Sequence, residues 1–389
     1  MAIVSIFTVV LSAVGCFLSV WIVVPAPVFV LLPLSVAAPE LAPWLCLGNG
    51  VALALAVVQG SQVLRWVAGG LALVGLGLSC LPLVQLPQVI RDVDAEFVQQ
   101  LGVDIEAIAP PLQSRPFRTI DVFRGIPRVT VGHESEILFA SPDGVPLTME
   151  VYRPEDRTVY PAIVTIYGGA WQRGSASENA RFNESLAARG FVVFAISYRH
   201  APQFQFPAQL EDVRAAMRWI EQQAETYGAD GDRVAVVGRS AGAQLAMLLG
   251  YGREFSGKIR AVVNFYGPVD LAAGYRSPPI PDPINTRPTL EIFLGGSPEQ
   301  YPDRYRQASP ATYLRESLPP TLLLYGQRDR VVEAKYGRAL ASKLRVLGNT
   351  AVAIEFPWAD HAFDAVFRGA SSQLSLYSVE RFLSWALKS

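Results

Sequence analysis

The stretch Val236-Val-Gly-Arg-Ser-Ala-Gly-Ala243 holds a serine between two glycines, directly after a short apolar run. Val234–Val237 reads as a short buried strand and Ala241–Tyr251 as a helix, so Ser240 falls at the turn between them. A sharp strand-to-helix turn crowds the backbone. Glycines at 238 and 242 keep side chains out of that crowding and leave the serine oxygen exposed. Ala241 then opens the helix, where backbone N–H groups have no partner within the helix. Gly-X-Ser-X-Gly alone also fits a turn without chemistry, and the strand–turn–helix context favours a nucleophile.

Around this turn the chain alternates. Ser135–Ala140 and Leu147–Tyr152 are strand-like and joined by the turn signal Ser141-Pro-Asp-Gly144. Ala162–Tyr167, Phe191–Ile196, Ala261–Phe265, Thr321–Tyr325 and Val352–Phe356 are compact apolar strands, and Leu210–Tyr227 and Leu374–Leu387 read as helices. Strands apolar on both faces and separated by helices predict an α/β fold. Its sheet is mostly parallel and covered on two sides. Such sheets carry their ligand sites beyond the carboxyl ends of the strands. Four singular stretches follow strand ends: Tyr167-Gly-Gly-Ala-Trp171, Ser240, Asp329 and His361.

A serine hydroxyl needs a base to take its proton. The chain has three histidines, His133, His200 and His361. His133 lies upstream of the core sheet and reads as exposed. His200 follows a strand and is placed to line the site. His361, in a late post-strand loop, is the expected base, and the order serine, acid, histidine suits this architecture. Asp329 is the first choice for the acid that orients the imidazole, with Asp360 as its rival. Asp270 and Asp364 read as capping or turn residues. Gly168 and Gly169, with the amide of Ala241, are the candidate donors to an oxyanion.

These residues resemble the alpha/beta-hydrolase fold, in the carboxylesterase branch related to hormone-sensitive lipase and the feruloyl/acetyl-xylan esterase-like enzymes. YGGAW at 167–171 is similar to that family's oxyanion loop, and SYRHAP at 197–202 resembles its Tyr-Arg-Leu-Ala-Pro segment. FPAQLEDVRAAMRWI at 206–220 resembles the helix that follows. GRSAG at 238–242, YGQRDRVV at 325–332 and DHAF at 360–363 resemble its nucleophile turn, acid loop and histidine loop. The resemblance covers roughly 130–389. It implies a three-layer sandwich with Ser240 as nucleophile, Asp329 as acid, His361 as base, and Gly168, Gly169 and Ala241 as oxyanion donors. Tyr167 stands where the family usually has a histidine that supports the loop. Arg239 replaces an aspartate or another small or acidic residue; the readings are a place near the pocket, a pair with a Glu or Asp at the helix surface, or, favoured slightly, a solvated surface arginine. Residues 272–309 interrupt the sheet and resemble the family's cap insertions over the acyl pocket.

The first ninety residues read differently. Residues 1–39 carry no charge, nor do 41–64 or 66–90; only Glu40 and Arg65 intervene. A bilayer-spanning helix needs about 20 apolar residues. Runs at 2–24, 41–60 and 66–88 are expected to supply about three spans, the second begun earlier in 27–37 or preceded by a re-entrant segment. The first lacks the positive flank of a signal peptide. With Arg65 on the cytoplasmic side, the reading is an integral multi-pass membrane protein whose catalytic domain is extracytoplasmic. Residues 1–90 form the membrane region, 91–128 a proline-containing connector with a short interfacial helix in part of 92–101, and 129–389 the catalytic domain.

A net charge of −1 gives no support for nucleic-acid binding. The three cysteines all lie before residue 90, so the polar domain holds no cysteine-rich metal site. No metal or organic cofactor is implied. The expected function is a membrane-anchored serine hydrolase cleaving a small-molecule or lipid-like carboxylic ester. Hydrolysis of an amide and a non-catalytic binding module of the same fold are the alternatives. A transport role ranks below them, because no charged residue marks an intramembrane path. Protein partners are not specified by the sequence.

Overall fold

The computed structural model describes residues 2–58, 62–108, 115–156 and 158–388. Pro110-Pro111 of the connector, and the last two positions of the 41–60 run, lie outside them. The chain begins with helices α1 (Ala2–Val20), α2 (Leu32–Glu40), α3 (Ala42–Val57), α4 (Gln62–Leu101) and α5 (Thr119–Arg124). One sheet follows, of strands β1 (Gly132–Ala140), β2 (Leu147–Arg153), β3 (Tyr160–Ile166), β4 (Val192–Ile196), β5 (Ala229–Arg239), β6 (Ile259–Phe265), β7 (Thr321–Gly326) and β8 (Ala351–Phe356). Their spatial order is β1-β2-β4-β3-β5-β6-β7-β8. β2 pairs antiparallel with β1 and β4, and the pairs from β4 through β8 are parallel.

Helices α6 (Ala180–Ala187), α7 (Ala208–Gln223), α8 (Ala241–Tyr251), α9 (Leu271–Arg276), α10 (Thr286–Leu294), α11 (Pro302–Ala308), α12 (Ala334–Val346) and α13 (Ala370–Lys388) complete the chain. Every residue of β4 and β7 is buried, as strands covered on both faces must be. α7 buries Leu210, Val213, Met217 and Ile220, the inward stripe of an amphipathic helix. α8 is buried along its whole length, which suits its small and apolar sequence AGAQLAMLLGY. The mostly parallel sheet flanked by helices is thus an alpha/beta-hydrolase sandwich.

The amino-terminal part departs from the expectation. Among the described residues one helix, Gln62–Leu101, is long and apolar enough to cross a membrane. The run at 2–24 gives a shorter apolar helix. The run from 27 to 57 is broken between α2 and α3 by a bend of 80°. The reading of an integral multi-pass protein with an extracytoplasmic catalytic domain is therefore corrected. A hydropathy window registers composition and cannot see what a helix packs against. α2 buries Leu32, Ser35, Val36, Ala38, Pro39 and Glu40, and its polar side chains reach the catalytic domain, as described below.

The short interfacial helix expected in part of 92–101 is instead the end of α4. Its inner face, Leu86, Val89, Val93 and Phe97, belongs to the main core. Glu96 reaches the outer strand of the sheet, where it accepts from Ala353 N (2.9 Å) and from Arg345. Charged residues on the outer face of this helix, such as Arg91 and Asp92, made the sequence look like a boundary.

Candidate active site

β5 runs straight into α8 through Ser240, whose backbone sits at φ 49° and ψ −119°. A non-glycine residue is strained there, and such strain is held only where the surroundings over-determine it. The turn is pressed against the end of β3: a Cβ on Gly242 would lie 2.2 Å from Tyr167 O. The loop after β3 returns the contact. A Cβ on Gly168 would lie 3.2 Å from that of Ser240. Gly168, Gly169, Ser240, Ala241 and His361 all line one cavity.

His361 Nε2 lies 2.9 Å from Ser240 Oγ, and its Nδ1 lies 2.8 Å from Asp329 Oδ2. The other oxygen of Asp329 accepts from Val331 N (2.7 Å) and Val332 N (2.8 Å), which locks the carboxylate toward the imidazole. Burial disfavours a charged imidazole, but the charge and hydrogen bond of Asp329, with Asp360 and Asp364 nearby, hold the His361 pKa above its ordinary value. A hydroxyl, an imidazole and a carboxylate in this relation can pass the hydroxyl proton to Nε2 and stabilise the cation that results.

Asp360, the rival acid, does not reach the ring. Its Oδ1 accepts from the backbone N–H of His361 (2.7 Å) and its Oδ2 from Ser35 Oγ (2.6 Å). Burial, then the charge of Asp329, raises its pKa. Asp270, read as a capping residue, caps α9 by accepting from Ala273 N (2.9 Å).

The Tyr167 hydroxyl lies 2.8 Å from His200 Nε2 and 3.3 Å from Tyr198 O. The Tyr167 ring is thus tied to the imidazole of His200, in the loop after β4. Burial lowers the pKa of His200. His133 lies away from this group, half-exposed and paired with Glu150.

A family model described as BD-FAE matches residues 149–344, which contain Tyr167, Ser240 and Asp329. The chain belongs to the BD-FAE family. Esterase LipC of Mycobacterium tuberculosis (strain ATCC 25618 / H37Rv) is 30% identical over 285 residues, 69% of each chain. The probable carboxylic ester hydrolase LipM of the same organism is 26% identical over 87% of this chain and 81% of its own. Among solved structures, a bacterial heroin esterase aligns at a TM-score of 0.58 with 26% identity, over 67% of this chain and 85% of that one. This BD-FAE chain is a serine-dependent carboxylic ester hydrolase.

The cavity of this BD-FAE enzyme measures about 570 Å³. From the 272–309 segment it takes Ile284 and Leu290, and from the acid loop Val331 and Val332. Sequence reading missed its remaining wall. Phe29, Leu32, Pro33, Val36 and Ala37 line the same cavity, from the region assigned to membrane spans. The available signal was local: Ser35 and Glu40 are polar groups in an apolar run and need partners when buried.

Arg239 is corrected as well. Its side chain is 5% exposed and pairs with Asp364, which also accepts from the Tyr266 hydroxyl. The guanidinium lies over the rings of Phe182 (4.2 Å) and Phe265 (4.6 Å), so it is a packed cation and not a solvated one. Asp364, read as a turn residue, is the counter-ion of that buried charge.

Proposed function

We propose that Ser240 attacks the carbonyl of an ester while His361 Nε2 takes its proton. Asp329 keeps Nδ1 protonated and stabilises the imidazolium. Amides of Gly168, Gly169 and Ala241 receive the developing oxyanion. The proton held on Nε2 then goes to the departing alkoxide. A water molecule repeats the sequence on the acyl-enzyme, giving the acid and restoring Ser240. The observation that carries this reading is the unbroken hydrogen-bond chain from Asp329 through His361 to Ser240.

The substrate read from the cavity is an ester with a sizeable apolar group. Its walls are mainly aliphatic and aromatic, with a few polar groups beside the serine, the usual make-up of a site that holds an apolar body and orients one polar bond. Outside the cavity, α1, α3 and α4 expose Phe7, Phe17, Trp44, Leu47, Trp66 and Leu73. Exposed apolar side chains on three helices packed together are the make-up of an interaction surface. The exposed side chains, over a segment with almost no charge, favour lipid, and the membrane-anchored reading asks only for attachment to a lipid surface.

A fluorophosphonate probe tests the chemistry. The parent protein is expected to be labelled, and Ser240→Ala and His361→Ala are not. A folded, unlabelled parent overturns the assignment of residues. Flotation with phosphatidylcholine vesicles tests the surface, and a protein that stays at the bottom of the gradient, free of detergent and aggregate, rejects it.

A further inference from the structure

Helix α2 and the segment leading into it touch the loops that carry Asp329 and His361 and the loop after β3. Phe29, just ahead of it, packs under the guanidinium of Arg173 in the loop after β3 (4.8 Å). Leu32 and Val36 pack with Val331 in the acid loop. Ser35 meets Asp360, and Glu40 accepts from both the backbone N–H (2.9 Å) and the hydroxyl (2.5 Å) of Ser371, ten residues after His361. Arg328, beside Asp329, donates to Val23 O.

From this geometry we infer that Ser35 is a positioning residue for His361, acting through the Asp360 carboxylate. The inference rests on the reading of His361 as the base. The Ser35 hydroxyl has one proton and two acceptors in reach: Asp360 Oδ2 at 2.6 Å and Leu32 O at 3.1 Å. The nearer, charged acceptor holds it, since hydrogen bonds to ionised groups are the stronger ones. Asp360 Oδ1 takes the peptide N–H of His361 at 2.7 Å. One oxygen is thus held by α2 and the other holds the backbone that carries the imidazole. Both residues are buried, Ser35 at 3% and Asp360 at 3% exposure, so water does not replace a lost partner. Without the Ser35 hydroxyl the carboxylate is free to rotate, and the His361 peptide loses its anchor. Fewer molecules then hold Nε2 at 2.9 Å from Ser240 Oγ. The consequence falls on the rate of acylation and not on binding of a small ester, because Ser35 lies outside the cavity lining.

The test uses the full chain with Ser35→Ala, Ser35→Thr and Ser35→Val, assayed on p-nitrophenyl acetate and with the fluorophosphonate probe. Thr and Val share a shape and differ in the hydroxyl, so the pair separates hydrogen bonding from packing. Ser35→Ala and Ser35→Val are expected to lower kcat and the labelling rate about tenfold, the worth of one charge-assisted hydrogen bond. KM is expected to stay within about twofold, the pattern of a lost interaction that acts on the chemical step. Ser35→Thr is expected to recover most of the rate. A Ser35→Val protein as fast as Ser35→Thr overturns the inference while the labelled parent keeps the hydrolase reading intact. An unlabelled parent overturns that reading and this inference together.

Discussion

Arg239 and Asp364 form a buried ion pair that joins the residue before Ser240 to the short helical turn after His361. The two lie 125 positions apart in the chain. The Tyr266 hydroxyl completes the group, and the Tyr266 ring packs on the imidazole of His361 at 4.7 Å. The pair therefore clamps the Ser240 turn and the His361 loop against each other from outside the hydrogen-bond chain. It couples the stability of the sheet end to the geometry of the site.

Removing one member of that pair is predicted to cost more than the pair is worth. Asp364→Ala leaves a guanidinium buried without its carboxylate, a change that costs about 3–5 kcal/mol. Thermal unfolding of the variant checks this, and a melting temperature within a degree of the parent rejects it. Joint replacement, Arg239→Met with Asp364→Leu, is expected to recover much of the stability, since no lone charge remains.

The strain at Ser240 gives a second prediction. With φ at 49° the residue occupies a conformation that glycine adopts freely and alanine does not. Ser240→Gly and Ser240→Ala both remove the hydroxyl and are expected to be inactive. Ser240→Gly is nevertheless expected to be the more stable, by up to about 1 kcal/mol after the extra freedom of glycine in the unfolded chain is counted. Denaturant unfolding of the two variants compares them directly, and a more stable alanine variant would show that the turn is not strained.

How much of this was legible in the sequence depends on what each residue packs against. β3, β4, β6 and β7 stood out because burial on both faces demands continuous apolar runs. The grouping of Ser240, Asp329 and His361 was legible because each follows a strand that ends at the same edge of the sheet. Nothing local reveals that Leu32 and Val36 face a cavity. An apolar helix reads alike whether its neighbour is lipid, another helix or a substrate. Arg239 was misread for a related reason: its partner Asp364 is remote in the chain, and its ring neighbours Phe182 and Phe265 sit on separate elements. The pairing of Tyr167 with His200 was hidden because a substituted residue shows only what is lost. Its replacement partner came from a different loop.

The pH dependence follows from His361. In the proposed mechanism the neutral imidazole is the form that takes the Ser240 proton. Its pKa is raised: burial works against the charge, and the charge and hydrogen bond of Asp329 outweigh it, with help from Asp360 and Asp364. The acid limb of kcat/KM is therefore expected above the ordinary histidine value of about 6.5. Asp329→Asn is expected to move that limb downward and to reduce kcat by about 10⁴-fold, since an amide also favours the wrong tautomer. For stability the sign is fixed by the same shift. A group held more basic in the folded state contributes stability fully below its unfolded value, and loses it as pH rises through the folded one. Unfolding free energies measured across that window should decline in the parent, and decline less in Asp329→Asn. An acid limb below the ordinary value in the parent would contradict the assignment.

The wall supplied by α2 predicts chain-length selectivity. Ala37 lines the cavity and is partly exposed to it, so a larger side chain there occupies substrate space without displacing the buried residues Leu32 and Val36. Ala37→Phe is expected to leave hydrolysis of p-nitrophenyl acetate near the parent rate. It is expected to lower kcat/KM for the decanoate about tenfold, the discrimination that one or two methylenes bring in an apolar pocket. Leu290→Ala, in the part of the lining contributed by α10, enlarges the cavity and is expected to shift the preference toward longer acyl groups. If both variants keep the parent's profile of rates from acetate to decanoate, the acyl group does not lie along α2, and the apolar wall serves the alcohol side of the ester instead. Holding the acyl group constant and lengthening the alcohol then gives the same contrast between Ala37→Phe and the parent.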